Sequence, residues 1–282
     1  MNMVYGKRFI VASMLLLAGI VQGDGGKGDE YITVAILAKD KAHTLPLYLS
    51  CLERQTWPAS NTYLYIRTNN NNDNTAQVLR DWVARVGHKY PKIYFDDTDV
   101  QEQVQEFKQH EWNYTRFKVL GDIRQDSISW AQENNSHYFV ADCDNFIYPD
   151  TLESMINTNL GVVSPFLRCC EKPFYSNYHD TLDCNGYYLP STFYYEILEQ
   201  KVRGMIEVLL VHCTYFIRRE LLDKISYDDE SCRYEYVVFS DVLRKQNIPQ
   251  YLDNRKIYGY ISFAENQEDF EKELFLDTFM VW

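Results

Sequence analysis

Asp142 and Asp144 flank Cys143 directly behind an apolar run, His137-Tyr138-Phe139-Val140-Ala141. The run reads as a buried strand, and side chains two apart on an extended chain share a face. Two carboxylates on one face, beyond the carboxyl end of a strand, stand where parallel sheets bind ligands. Hard oxygen donors of this kind suit Mg²⁺ or Mn²⁺. A divalent ion held there neutralises the charge of a departing diphosphate, the chemistry a sugar-nucleotide transferase uses. A second acid pair, Asp97 and Asp99, lies in a polar stretch with no flanking strand and reads as a solvated turn.

The elements that position the first pair follow from hydrophobic period. Tyr31 to Ala38 is a continuous apolar strand, the pattern of a parallel central strand. Thr44 caps a helix to Gln55, with Pro46 in its first turn. Thr62 to Arg67 is a second strand, Gln77 to Val86 a helix, Lys92 to Phe95 a third strand, and 96–115 a polar loop. The helix before the acid pair buries Leu120, Ile123, Ile128 and Ala131. This alternation predicts the α/β class, with a mostly parallel sheet covered by helices.

Beyond Thr151 the pattern changes. A short helix (152–157) and a strand (161–164) precede a Tyr-, Cys- and Pro-rich stretch over 165–190. Val208 to Ile217 reads as one apolar strand, 234–245 as a helix, 251–252 and 256–263 as strands, and 268–278 as a closing helix. With no repeat and no linker, residues 24–282 form one domain, nucleotide-binding to about 145 and acceptor-binding from 146.

Lys7 and Arg8 precede an apolar run from Phe9 to Val21, and small residues follow, so residues 1–23 read as a secretory signal peptide. No other stretch is long and apolar enough to span a bilayer. Its removal lowers the formal charge by two, from −12 to −14. An acidic chain lacks the positive footprint that nucleic acid requires. The location is the secretory pathway, endoplasmic reticulum lumen or secreted. Seven cysteines in such a chain imply pairing. Cys51 and Cys143 read as buried thiols, and Cys184 with Cys169 or Cys170 as the expected bridge. Asn113 and Asn134 head glycosylation sequons. The chain ends in Phe279-Met280-Val281-Trp282, which is not a retention signal.

Several motifs in series carry a resemblance. Ala38, His43, Leu45 and Pro46 come first, then Asn72, Asn74 and Thr75 ahead of Trp82. Arg124-Gln125 precede Asp142-Cys143-Asp144-Asn145. Tyr175-Ser176-Asn177, Gly186-Tyr187-Tyr188, Val211-His212, Thr214 and Tyr258-Gly259 follow. In this order they resemble the N-terminal half of the procollagen galactosyltransferase family. The resemblance implies a GT-A-type nucleotide-sugar-binding sandwich, a UDP-galactose or UDP-glucose donor, Mn²⁺ or Mg²⁺, and hydroxylysine of a collagen-like protein as acceptor. It implies Asp142 and Asp144 as metal and diphosphate pair, with His212 as third ligand. It sets Arg124 at the diphosphate, Asp73 at the uracil or ribose, and Leu37, Ala38 and Lys39 near the uridine. Glu235 is the candidate base, with Asp183 as the other candidate. Where the family has a second carboxylate beside this base, the chain has Tyr236. That departure opens the alternative of an inactive module kept for binding or adhesion.

Overall fold

Four apolar or β-branched runs build the half of the sheet that carries the acid pair. They are β1 (Ile32–Ala38), β2 (Thr62–Thr68), β3 (Lys92–Asp96) and β4 (His137–Ala141), all parallel, in the spatial order β3-β2-β1-β4. Their connections carry α1 (Leu45–Glu53), α2 (Thr75–Val86) and α3 (Tyr114–Glu133). The computed structural model describes residues 30–102 and 113–280. The expected signal peptide, the middle of the expected 96–115 loop and the last two residues lie outside the described residues.

The second half continues the same sheet. In chain order it comprises β5 (Asn145–Ile147), α4 (Thr151–Asn157), β6 (Val162–Pro165), β7 (Leu167–Cys169), β8 (Tyr178–His179) and α5 (Thr192–Leu198). Then come β9 (Met205–Val208), β10 (Leu210–Val211), β11 (Thr214–Ile217), α6 (Glu235–Lys245), β12 (Gln250–Asp253), β13 (Gly259–Ile261), α7 (Gln267–Phe270) and α8 (Leu276–Met280). The full order is β3-β2-β1-β4-β11-β6-β12-β9, with β11 antiparallel to β4. A three-stranded sheet, β5-β13-β7, lies at the edge of the acid pair. Large apolar cores pack on both faces of the main sheet, so β1 and β4 are buried throughout or nearly so. That explains their unbroken apolar runs.

Several expected elements differ. The apolar stretch 208–217 is not one strand, because it breaks into the end of β9, then β10 and β11. The last break falls at Cys213, which has φ +64. The closing helix is likewise two short helices, since Phe275 turns inward between them. Thr44 starts α1 without a capping side-chain bond, its hydroxyl donating instead to the Lys41 carbonyl. Leu120 and Ile123 line a cavity, while Arg124 and Ser127 are buried, Arg124 bonded through Nη2 to Asp142 and Ser127 to Tyr138. All seven cysteines are free, and the expected Cys169/Cys170–Cys184 bridge is absent. Cys169 is buried and its sulfur accepts from the Lys172 amide, whereas Cys184 is exposed.

Candidate functional site

The parallel strands β1, β2 and β4 end on one edge of the sheet, and the loops behind them open onto a cavity of about 1340 Å³. Asp142 and Asp144 reach it through a turn rather than an extended chain. The Asn145 amide donates to the Asp142 carbonyl at 2.8 Å, and β5 begins at once. Strand alternation therefore does not set their direction. The turn is held from behind by the Cys143 thiol, which donates to the Leu37 carbonyl, and by Asn145, which donates to Thr214 Oγ1. Asp142 and Asp144 line the cavity.

Two cations meet them. Lys41, from the loop after β1, places Nζ 2.6 Å from Asp144 Oδ2. Arg124, on α3, donates from Nη2 to Asp142 Oδ1 at 2.7 Å, and its Nε lies 3.7 Å from Glu235 Oε1. Glu235 is the first residue of α6 and is buried. Gly121 lets α3 come close enough, since a Cβ there would meet the Tyr227 carbonyl at 3.3 Å and Glu235 Cβ at 3.7 Å. Burial pushes the carboxyls of Asp142 and Glu235 up, with Arg124 pulling both the other way. Burial also works against the charges of Lys41 and Arg124. Asp144 outweighs it for Lys41, and Asp142, Tyr215 and Glu235 do so for Arg124, so both are raised. The result is a cluster of three carboxyl groups facing two cations, with Arg124 and Glu235 buried and Lys41, Asp142 and Asp144 partly open to the cavity.

His212 lines the same cavity, buried between Tyr175, His179 and Tyr236. Burial, reinforced by His179, holds its imidazole well below the ordinary value, so it is neutral. Its Nδ1 is 2.7 Å from Cys213 Sγ, and its Nε2 has no hydrogen-bond partner. Burial raises the Cys213 thiol.

Leu37, Lys39 and Asp73 also line the cavity. Ala38 does not, being buried in β1. Asp73 ties two loops together, one oxygen accepting from the Ala42 amide and the other from the Thr75 amide, both at 2.9 Å. Asp183 is not brought to the site. It closes a surface turn by accepting from the amides of Asn185 and Tyr187. Lys41, Cys213 and Tyr175 are additions to the expected set. The edge rule for parallel sheets points to Lys41, which follows β1 as Lys39 does. No sequence signal marks the turn that presents Cys213.

The chemistry of the donor set fits a hard divalent ion in part. Asp142 and Asp144 supply carboxylate oxygens, and one or two such groups with substrate phosphates suffice for Mg²⁺-type sites. Among the described residues, no three of His, Cys, Asp and Glu converge as a metal cluster. The expected triad of Asp142, Asp144 and His212 is therefore not assembled.

A sheet of this order, with an acid turn at its switch from parallel to antiparallel pairing, defines the GT-A glycosyltransferase fold. Solved structures bear this out. S. aureus TarS 1–349 in complex with UDP-GlcNAc superposes with a TM-score of 0.54 at 15% identity, over 86% of this chain and 61% of that one. A Pyrobaculum calidifontis mannosyltransferase in complex with GDP-Man and Mn²⁺ gives a TM-score of 0.52 at 13% identity, over 83% and 57%. The chain belongs to glycosyltransferase family 25, whose N-terminal domain matches residues 30–276. Human procollagen galactosyltransferase 2 is 33% identical over 240 residues. Human inactive glycosyltransferase 25 family member 3 is 27% identical over 241. Each alignment covers 82% of this chain, and 38% and 40% of the respective relative, so the chain spans less than half the length of these relatives.

Proposed function

We propose that this domain is a hexosyltransferase that takes galactose or glucose from a UDP-sugar and places it on a hydroxyl of a protein acceptor, hydroxylysine of a collagen-like sequence. The observation that carries the reading is the acid turn at Asp142 and Asp144, opening onto a cavity large enough for a nucleotide sugar and part of an acceptor. Asp142 and Asp144 would hold the divalent ion, Mn²⁺ or Mg²⁺, which when bound neutralises charge on the leaving diphosphate. Arg124 lines the cavity with Nη1 unpartnered, a donor suited to a phosphate oxygen. Lys41 adds positive charge at the same end. Leu37 and Lys39 flank the uridine, and Asp73 holds the loops that shape that end. Glu235 takes the proton of the attacking hydroxyl, since desolvation raises its basicity towards that task. The signal-peptide reading of residues 1–23 places this chemistry in the secretory pathway, in the endoplasmic reticulum lumen or outside the cell.

A second reading, a binding or adhesion module without turnover, is favoured by Tyr236 beside Glu235 and by the hold of Arg124 on that carboxyl. One experiment separates the two. The mature chain is incubated with Mn²⁺ and either UDP-galactose or UDP-glucose, with and without a hydroxylysine-containing collagen peptide, and UDP release is followed. The enzyme reading expects acceptor-dependent release from one donor, abolished in an Asp142→Asn chain that still folds. Binding of UDP without release from either donor would establish the module instead.

A further inference from the structure

The break between β10 and β11 is a one-residue turn. The Thr214 amide donates to the His212 carbonyl at 2.6 Å, and Cys213 between them has φ +64. A three-residue hydrogen bond with a positive central φ is the rare, strained form of γ-turn. A residue with a Cβ is strained there and glycine is not. The turn is anchored to the acid pair, because the Asp142 amide donates to the Cys213 carbonyl at 2.9 Å.

What the turn presents is a thiol. Cys213 Sγ is 2.7 Å from His212 Nδ1, and Tyr175 hydrogen-bonds the same sulfur. Between a neutral thiol and a neutral imidazole the thiol is the donor, since ring nitrogen is a far better acceptor than sulfur. Nδ1 is then occupied as an acceptor, and the ring proton sits on Nε2. That N–H is buried with no partner. The Ser176 carbonyl lies near enough to favour a protonated ring, but no hydrogen bond of ordinary length and angle reaches Nε2. An unpaired buried donor is destabilising, and a ligand oxygen would remove that cost. The rings of Tyr175, His179 and Tyr236 have their centroids 5.8, 5.5 and 5.3 Å from that of His212. Ring surfaces around a single fixed donor suit a pyranose, whose C–H faces are apolar and whose hydroxyls accept.

We propose that His212, with its proton fixed on Nε2 by the Cys213 thiol, donates a hydrogen bond to a hydroxyl of the hexose in the bound nucleotide sugar. This rests on the nucleotide-sugar reading of the cavity and deepens it. His212 becomes the residue that reads the sugar, and Cys213 a positioning residue. A nitrogen that carries a proton has no lone pair for a metal, so this role replaces the expected ligation by His212.

Two measurements test it. NMR of the ligand-free chain labelled with ¹⁵N-histidine reads the tautomer, with protonated Nε2 expected for His212 and a mixture expected in Cys213→Ala. Calorimetric titration with UDP, UDP-galactose and UDP-glucose, Mn²⁺ present throughout, reads the contact. His212→Phe keeps a ring and removes the donor, so one UDP-hexose should bind about tenfold more weakly while UDP binds as before. Cys213→Gly should weaken binding of that UDP-hexose several-fold while UDP binds as before, a split that a purely structural cysteine would not produce. Equal losses for UDP and UDP-hexose, no loss for either, or a proton on Nδ1 overturns the proposal and leaves the nucleotide-sugar reading standing. If the wild-type chain binds neither UDP nor a UDP-hexose, both fall.

Discussion

Arg124 donates to Asp142 at 2.7 Å, and the same guanidinium faces Glu235 at 3.7 Å, so one buried cation ties the acid turn of the first half to the helix of the second. Removing one member of a buried ionic cluster leaves charge without a counter-charge, at a cost of roughly 3–5 kcal/mol. Arg124→Met should lower the free energy of unfolding in urea by that order. Adding Glu235→Gln should cost less than the sum of the two single changes, because the carboxylate left unpaired is then gone. Strict additivity in a double-mutant cycle would mean that Arg124 and Glu235 do not interact.

Gly259 controls how closely β13 approaches the strand that follows the acid turn. A Cβ there would sit 2.0 Å from the Phe146 carbonyl oxygen, and backbone cannot step aside as a side chain does. Gly259→Ala should therefore cost at least about 1–3 kcal/mol, the range for overpacking, and displace β5 next to Asp144. Gly161→Ala is the control. Its Cβ would meet only the tip of Leu221, at 2.6 Å, which can rotate away. Chemical denaturation of both variants decides the matter, and equal losses would contradict the close-approach argument.

The first half of the fold was legible because β1, β2 and β4 are buried on both faces and the helices alternate with them, while the half-exposed edge strand β3 shows only as the short run Ile93-Tyr94-Phe95. Asp142 and Asp144 were legible for the same reason, since the edge of such a sheet is where ligands go. The second half was harder to read. Its strands are two to four residues long and antiparallel or mixed in pairing, too short for a period to show. The break at Cys213 depends on a backbone conformation that no residue type there announces. The paired acids and cations of Lys41, Asp144, Arg124 and Glu235 come from four separate segments, and only tertiary packing brings them together.

His137 gives stability a pH dependence of known sign. Its side chain is fully buried; the Arg219 amide donates to Nδ1 and Nε2 faces Glu30, so the neutral ring carries its proton on Nε2. Burial lowers its pKa, and Glu30 only partly opposes this. As pH falls below about 6.5, the unfolded chain takes up the proton before the folded chain does, and stability is lost until the folded pKa is passed. His137→Gln lacks that titration. The stability gap between wild type and variant, measured by urea unfolding at steps from pH 7.5 to 5, should narrow as pH falls. A widening gap would place the folded pKa above the unfolded one.

Lys41 and a divalent ion would compete for the same carboxylate. Its ammonium is 2.6 Å from Asp144 and about three-quarters shielded from solvent, its side chain being 22% exposed. A fixed positive charge that close opposes the entry of another cation, and even at a high effective dielectric the repulsion is more than about 1 kcal/mol. Lys41→Met should thus bind Mn²⁺ about tenfold more tightly in the absence of nucleotide, roughly 1.4 kcal/mol. Asp144→Asn in the same background should lose that gain, because the carboxylate for which they compete has gone. Titration of free Mn²⁺ by its paramagnetic resonance signal reads both variants without any need for turnover. A weaker affinity in Lys41→Met would mean that the lysine shapes the acid turn instead of contending for it, and Lys41 would then belong with the residues that build the site.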